Sequence, residues 1–255
     1  MASPSEPMPC ANLTNGHTVR GFDRDLVRLR DLILEMGERA VEQTQAAIAA
    51  LLEHDPNPAY RVLDREPQID FLALDADEEV FQVIARRQPA AIDLRIVLAL
   101  GRIAAEAERA GDKAVRIARH TLELQAHGGE LPTALAAAVR GLDEIACCIF
   151  ERSVAAVARF DIALAVGIFE DETRLYEAAE ALNRTLIAPA DDPLPAARLA
   201  PLLAIAHALT HIGEHGAAIA EQVIYVAEGQ DVRFRNREIL IETLRHRDAS
   251  ERTNA

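Results

Sequence analysis

Glu108 and Asp112 stand four residues apart in the stretch Glu106-Ala107-Glu108-Arg109-Ala110-Gly111-Asp112. On a helix that spacing places both carboxylates on one face, where like charges repel by a few tenths of a kcal/mol. A hard cation turns the repulsion into shared oxygen ligation, as in carboxylate-rich magnesium, calcium, manganese or iron sites. Val97, Gly101, Ala104, Gly111 and Val115 share the row, which is small and apolar, so the pair is expected away from the most solvated face. Two carboxylates on one helix leave such a site incomplete. A neighbouring helix has to contribute, and Asp70, in an acidic stretch upstream, is the first candidate. The competing reading, favoured on spacing alone, pairs Glu108 and Asp112 with Arg109, Lys113 or Arg116, or turns them to water.

His207, His211 and His215 recur at four-residue steps, with Glu214 beside the last. Histidines at that spacing on a helix are able to bind a transition metal. An internal alignment weakens the idea. Ile103-Ala104, Gly111-Asp112 and Ile117-Ala118 line up without a gap on Ile205-Ala206, Gly213-Glu214 and Ile219-Ala220. His211 and His215 then fall where the first half has Arg109 and Lys113. The simpler reading is a polar stripe in which histidines, titrating near neutrality, replace permanent cations.

Catalysis finds no support. Helices of di-iron enzymes supply Glu-x-x-His pairs, and no histidine here has a glutamate three residues before it. A Gly-rich phosphate loop, a Gly-x-Ser-x-Gly elbow and a Cys-x-x-Cys pair are also absent from the sequence. The run Asp75-Ala76-Asp77-Glu78-Glu79 reads as a solvated helix face.

These residues must be positioned by helices. Prolines at 56, 58, 89, 132, 189, 193 and 195 divide the 255-residue chain, and Asp161 offers an N-cap without one. Between the breaks, apolar residues return at three- and four-residue steps. Leu26, Leu29, Ile33, Met36, Ala40 and Ala47 form one series; Ile96, Leu100, Ile103, Ala107, Ala110, Ala114, Ile117, Thr121 and Leu124 form another. About six helices of roughly 20–35 residues result, the longest near 50 Å. Pro67 is expected at the first turn of the main second helix, after a short turn. Pro201 implies a kink or a late start. The repeat predicts an all-α fold of two tandem three-helix-bundle repeats, residues 17–127 and 132–230, six long antiparallel helices in all. A disordered tail at 1–16 and a polar tail at 231–255 flank them.

A net charge of −14 and an aromatic content of 4% without tryptophan argue against nucleic acid as a partner. The three cysteines form no disulfide framework, and no signal peptide or membrane-length apolar run is visible, so the chain is expected in the cytoplasm without membrane insertion.

The string Ile84-Ala85-Arg86-Arg87-Gln88-Pro89-Ala90-Ala91-Ile92-Asp93-Leu94-Arg95, followed by Glu106 through Asp112, resembles the PhoU family, accessory regulators of bacterial high-affinity phosphate transport. His17 through Phe22 with Leu26 resembles the family's opening segment, and Glu221 through Tyr225 with Gly229-Gln230-Asp231 its close. The resemblance implies a cytoplasmic, usually dimeric, non-catalytic negative regulator of the phosphate-starvation response. Its implied partners are the transporter's ATPase subunit and a membrane sensor histidine kinase. It also implies a divalent metal (iron, zinc, manganese or magnesium) held by a Glu/Asp-x-x-x-Asp motif once per repeat. Glu108 and Asp112 match the first copy. In the second, Thr210 replaces the leading acid and Glu214 the closing one, so half of the motif is missing. The stripe Arg102, Arg109, Lys113 and Arg116 is a candidate contact for an acidic partner surface. The other reading of the chain is a helical bundle that stores or senses divalent metal.

Overall fold

Aspartates and prolines set the helix boundaries. Asp55 accepts a hydrogen bond from the Asn57 amide and Asp161 one from the Leu164 amide, so each caps the helix that follows. Pro132 and Pro195 stand immediately before two others, and Gly229, at φ 70°, closes the last in the left-handed conformation that suits glycine. In the computed structural model, which describes residues 20–128, 130–188 and 194–229, the result is six helices. They are α1 (Arg20–Glu53), α2 (Pro56–Arg87), α3 (Ala91–Ala126), α4 (Thr133–Val157), α5 (Ile162–Ile187) and α6 (Ala196–Glu228). No strand occurs among the described residues. The tails at 1–16 and 231–255 lie outside them, as do residues 17–19 of the opening segment, Pro189, Pro193, Gln230 and Asp231.

Helices α1–α3 form one three-helix unit and α4–α6 another, joined where α3 packs on α6 and α1 on α4. The inner helices α3 and α6 are rich in small buried residues, among them Ala107, Ala110, Ala114, Ala217 and Ala220, and their glycines open onto other helices: Gly111 against Ile69 of α2, Gly213 against Leu175 of α5, and Gly216 against Ile149 and Phe150 of α4. Small side chains let packed helices approach closely. The short connection from Glu53 to Pro56 turns α2 back antiparallel to α1, and Arg87 with Asp25 and Arg65 with Glu42 pair across the two helices in that register. Arg119 with Glu66 does the same for α3 against α2. The expected seam is present, with Ile96, Leu100, Ile103, Ala107, Ala110, Ala114, Ile117, Thr121 and Leu124 all buried. Cys147 and Cys148 are free thiols, the first buried and the second exposed.

One proline expectation needs correction, and one is narrowed. Helix α2 starts at Pro56, and Pro67 lies inside it. Pro67 itself is exposed, and the carbonyl it leaves without a donor is that of Leu63, one turn earlier on the half-buried side of the helix, so the proline costs α2 a single backbone bond. Pro201 lies within α6, which begins at Ala196, so of the two readings of this proline the late start is excluded. Its would-be acceptor is Ala197, in the exposed first turn.

The outer helix α2 has two apolar faces. Val62, Ile69, Ala76 and Val83 face the core. On the opposite side Tyr60, Phe71, Leu74 and Phe81 are exposed, the last three by 63–65%. Those positions fall on one stripe at 3.6 residues per turn.

Candidate functional site

Gly111 sets the spacing of the site. A Cβ at this position would lie 2.7 Å from the Ile69 Cδ1, so glycine lets α2 close onto α3 at this level. That approach carries Asp70, the neighbour of Ile69, to Glu108 and Asp112, which flank Gly111 by one turn or less. Each of the three residues offers a carboxylate oxygen, and these oxygens lie within 4.8 Å of one another. Asp70 and Asp112 are exposed and Glu108 is half-buried. The expectation of a sheltered pair therefore holds for Glu108 and fails for Asp112: the row packs on α2, Gly101 against Val80 and Gly111 against Ile69, and Asp112 stays exposed beside it.

The site's electrostatics are those of crowded anions. Desolvation, then Asp112 and Asp70, raise Glu108 above its ordinary value, against a smaller opposing pull from Arg109 and His215. Partial burial, then Asp112 and Glu66, raise Asp70. Arg109 does not pair with Glu108. Its guanidinium donates to Glu106 at 2.7 Å, and no hydrogen bond or ion pair to Asp70, Glu108 or Asp112 forms among the described residues. Three oxygen donors with one open side match what magnesium, manganese or ferrous iron require from protein, with water completing the shell.

Glu214 lies outside this cluster, in the second repeat. There Leu175 packs on Gly213 as Ile69 packs on Gly111. This contact puts Tyr176 opposite Glu214 as Asp70 is opposite Asp112. The Tyr176 hydroxyl donates to Glu214 at 3.1 Å, and Thr210, in the place of Glu108, spends its hydroxyl on the Ala206 carbonyl at 2.9 Å. Carboxylate repulsion in one half is thus replaced by hydrogen bonds in the other.

The cationic stripe is partly occupied within the chain. Arg102 lies 5.8 Å from the centroid of the Tyr225 ring, with Arg95 at 6.0 Å, and its Nη1 reaches Gln222 at 3.4 Å. Arg109 is held by Glu106. Lys113 is half-buried and Arg116 is exposed. The run Asp75–Glu79 is a helix surface, with Ala76 buried and Glu79 paired to Arg28 at 3.3 Å.

Three features escaped the sequence reading. His215 Nδ1 donates to Glu106 at 2.7 Å across the α3–α6 seam. Asp143 is buried on α4, where the Cys147 thiol donates to it; burial raises its carboxyl to about 6. The exposed stripe of α2 was present in the sequence as apolar residues at 60, 71, 74 and 81, a second period set against the one at 62, 69, 76 and 83.

The PhoU domain family model matches residues 33–121, which fall in the first repeat. A phosphate-specific transport system accessory protein PhoU homolog of Pseudomonas putida is 33% identical over 218 residues, 85% of this chain and 84% of that protein. The PhoU accessory protein of Escherichia coli K12 is 29% identical over 220 residues, 86% of this chain and 90% of its own. The crystal structure of PhoU from Pseudomonas aeruginosa superimposes with a TM-score of 0.77 at 30% identity, covering 82% of this chain and 100% of that one. A Streptococcus pneumoniae phosphate transport regulatory protein, at 21% identity and a TM-score of 0.75, shares the fold. It covers 83% of this chain and 99% of its own length.

Proposed function

The chain belongs to the PhoU family, and from that membership we propose that it is a non-catalytic, cytoplasmic, homodimeric negative regulator of the phosphate-starvation response. Its accessory role in phosphate transport follows from the relatives, whose similarity runs through both repeats. In the finer reading the protein docks on the transporter's ATPase subunit and on a membrane sensor histidine kinase, keeping the kinase quiet when phosphate is plentiful. What carries this reading is similarity over most of the chain to accessory proteins of one transport system. The shape supports it. Long packed helices make a stiff platform, and α2 presents an apolar stripe of Tyr60, Phe71, Leu74 and Phe81 that an interface core would cover. No described helix is long and apolar enough to cross a membrane.

Asp70, Glu108 and Asp112 hold one hard divalent cation in this reading, and the ion stiffens the α2–α3 pair that carries the stripe. The second reading, metal storage or sensing, is favoured by the same cluster but demands several ions per chain. Deleting the gene in phosphate-rich medium separates the two. A regulator's loss derepresses phosphate-scavenging genes, whereas unchanged expression removes the regulatory assignment.

A further inference from the structure

His207 and His211 occupy successive turns of α6, and their Nε2 atoms face each other 3.0 Å apart, with ring centroids 4.2 Å apart. We propose that this imidazole pair is a second metal site, distinct in chemistry from the carboxylate cluster, and that it takes a borderline transition ion such as zinc, nickel or copper. Two Nε2 atoms at this separation, each about 2.1 Å from a shared ion, subtend roughly 90°, the angle of neighbouring ligands on one metal. The pair needs no backbone movement to chelate.

The surroundings of His211 prepare one nitrogen for the task. The Glu214 carboxylate lies 3.9 Å from its Nδ1, and Tyr176 holds that carboxylate from the other side at 3.1 Å. That gap is longer than a hydrogen bond, so Glu214 acts on the His211 ring through its charge, and a small side-chain movement would bring it to Nδ1, where metal-ligating histidines commonly have such a partner. Partial burial, aided by the charges of His207, Lys113 and His215 and opposed by Glu214, lowers the affinity of His211 for a second proton. His207 is exposed, so the remaining coordination positions open to water.

The duplication accounts for the change of donor. The positions matching Asp70, Glu108 and Asp112 hold Tyr176, Thr210 and Glu214, which no longer make a three-oxygen set. At the same level of the second repeat, His211 stands where Arg109 stands in the first, and His207 where Ala105 does. Imidazole suits zinc, nickel and copper, and poorly suits magnesium.

Calorimetric titration with zinc chloride tests the proposal, using the full chain without a polyhistidine tag. The titration is run in an Asp70→Asn, Glu108→Gln background so that the carboxylate cluster does not compete. One zinc per chain is expected, with at least tenfold weaker binding after His207→Ala and no comparable binding of magnesium. Because His207 is exposed, that variant keeps its helicity and melting temperature, which circular dichroism checks. Side-chain 15N NMR should show the Nε2 resonances of both histidines moving on zinc addition. Absence of zinc binding overturns the proposal. So does binding that His207→Ala and His211→Ala leave unchanged, since the 3.0 Å contact is then only an N–H···N hydrogen bond.

Discussion

Asp70→Asn should make the protein more stable without metal and less stable with it. The carboxylate oxygens of Asp70, Glu108 and Asp112 lie within 4.8 Å, a distance at which two unit charges repel by about 0.9 kcal/mol in water and about 3.5 kcal/mol at an effective dielectric of 20. Asp70 and Asp112 are exposed, so the lower end applies. Removing Asp70 deletes two such repulsions and should stabilise the metal-free protein by about 1–2 kcal/mol, or roughly 2–8 °C in melting temperature for a chain of this size. If the cluster binds magnesium, the ion at a hundred times its dissociation constant should stabilise the wild type by about 2.7 kcal/mol, and the variant should lose most of that gain. The two melting curves therefore exchange order between chelator and magnesium. Thermal unfolding followed by circular dichroism reads both arms. A variant that melts below the wild type in chelator, or that keeps the full magnesium response, refutes the reasoning.

Asp143 gives a pH test. Its folded-state carboxyl sits at about 6 against an ordinary 3.8, so the stability of the protonated form is complete below pH 4 and is lost as pH rises through 6, about 3 kcal/mol at most. Asp143→Asn should stabilise the protein by about 1–3 kcal/mol at pH 7.5 and hardly at pH 4; equal effects in urea titrations at both pH values would contradict the assignment. Gly111→Ala forces a Cβ to 2.7 Å from Ile69 and should destabilise by up to about 2 kcal/mol, overpacking outweighing the better helix propensity of alanine. It should also weaken magnesium binding measured by calorimetry, and unchanged affinity would mean that the α2–α3 spacing does not set the site. Phe71→Asp with Phe81→Asp alters only exposed positions, so stability should change by less than about 1 kcal/mol while partner co-purification is lost. Retained co-purification would place the docking surface elsewhere.

Helix type and number were legible because period and punctuation agree along this chain. Asp161 caps where its sequence position implies, and the seam from Ile96 to Leu124 is buried throughout. Pro67 misled because a proline inside an exposed stretch of helix costs only one backbone hydrogen bond, which sequence does not distinguish from a helix start. The Glu108–Asp112 pair was legible from its spacing, and Asp70 from the incompleteness of that pair. Their exposure was not, since it depends on how α2 lies across α3 at Gly111, which periodicity does not give. The role of Glu214 depended on Tyr176, whose match to Asp70 emerges only from Leu175 packing on Gly213 as Ile69 does on Gly111. The cationic stripe read as free in sequence because Tyr225 and Gln222 reach Arg102 across about 120 residues of chain, a separation that periodicity does not span.

The central claim is that this duplicated helical platform works by docking to the phosphate transport machinery. Affinity purification of the tagged chain from phosphate-replete cells tests it most directly. The account predicts that the transporter's ATPase subunit and the sensor histidine kinase come with the protein, and that Phe71→Asp with Phe81→Asp releases them. Recovery of the folded protein with neither subunit bound would contradict it.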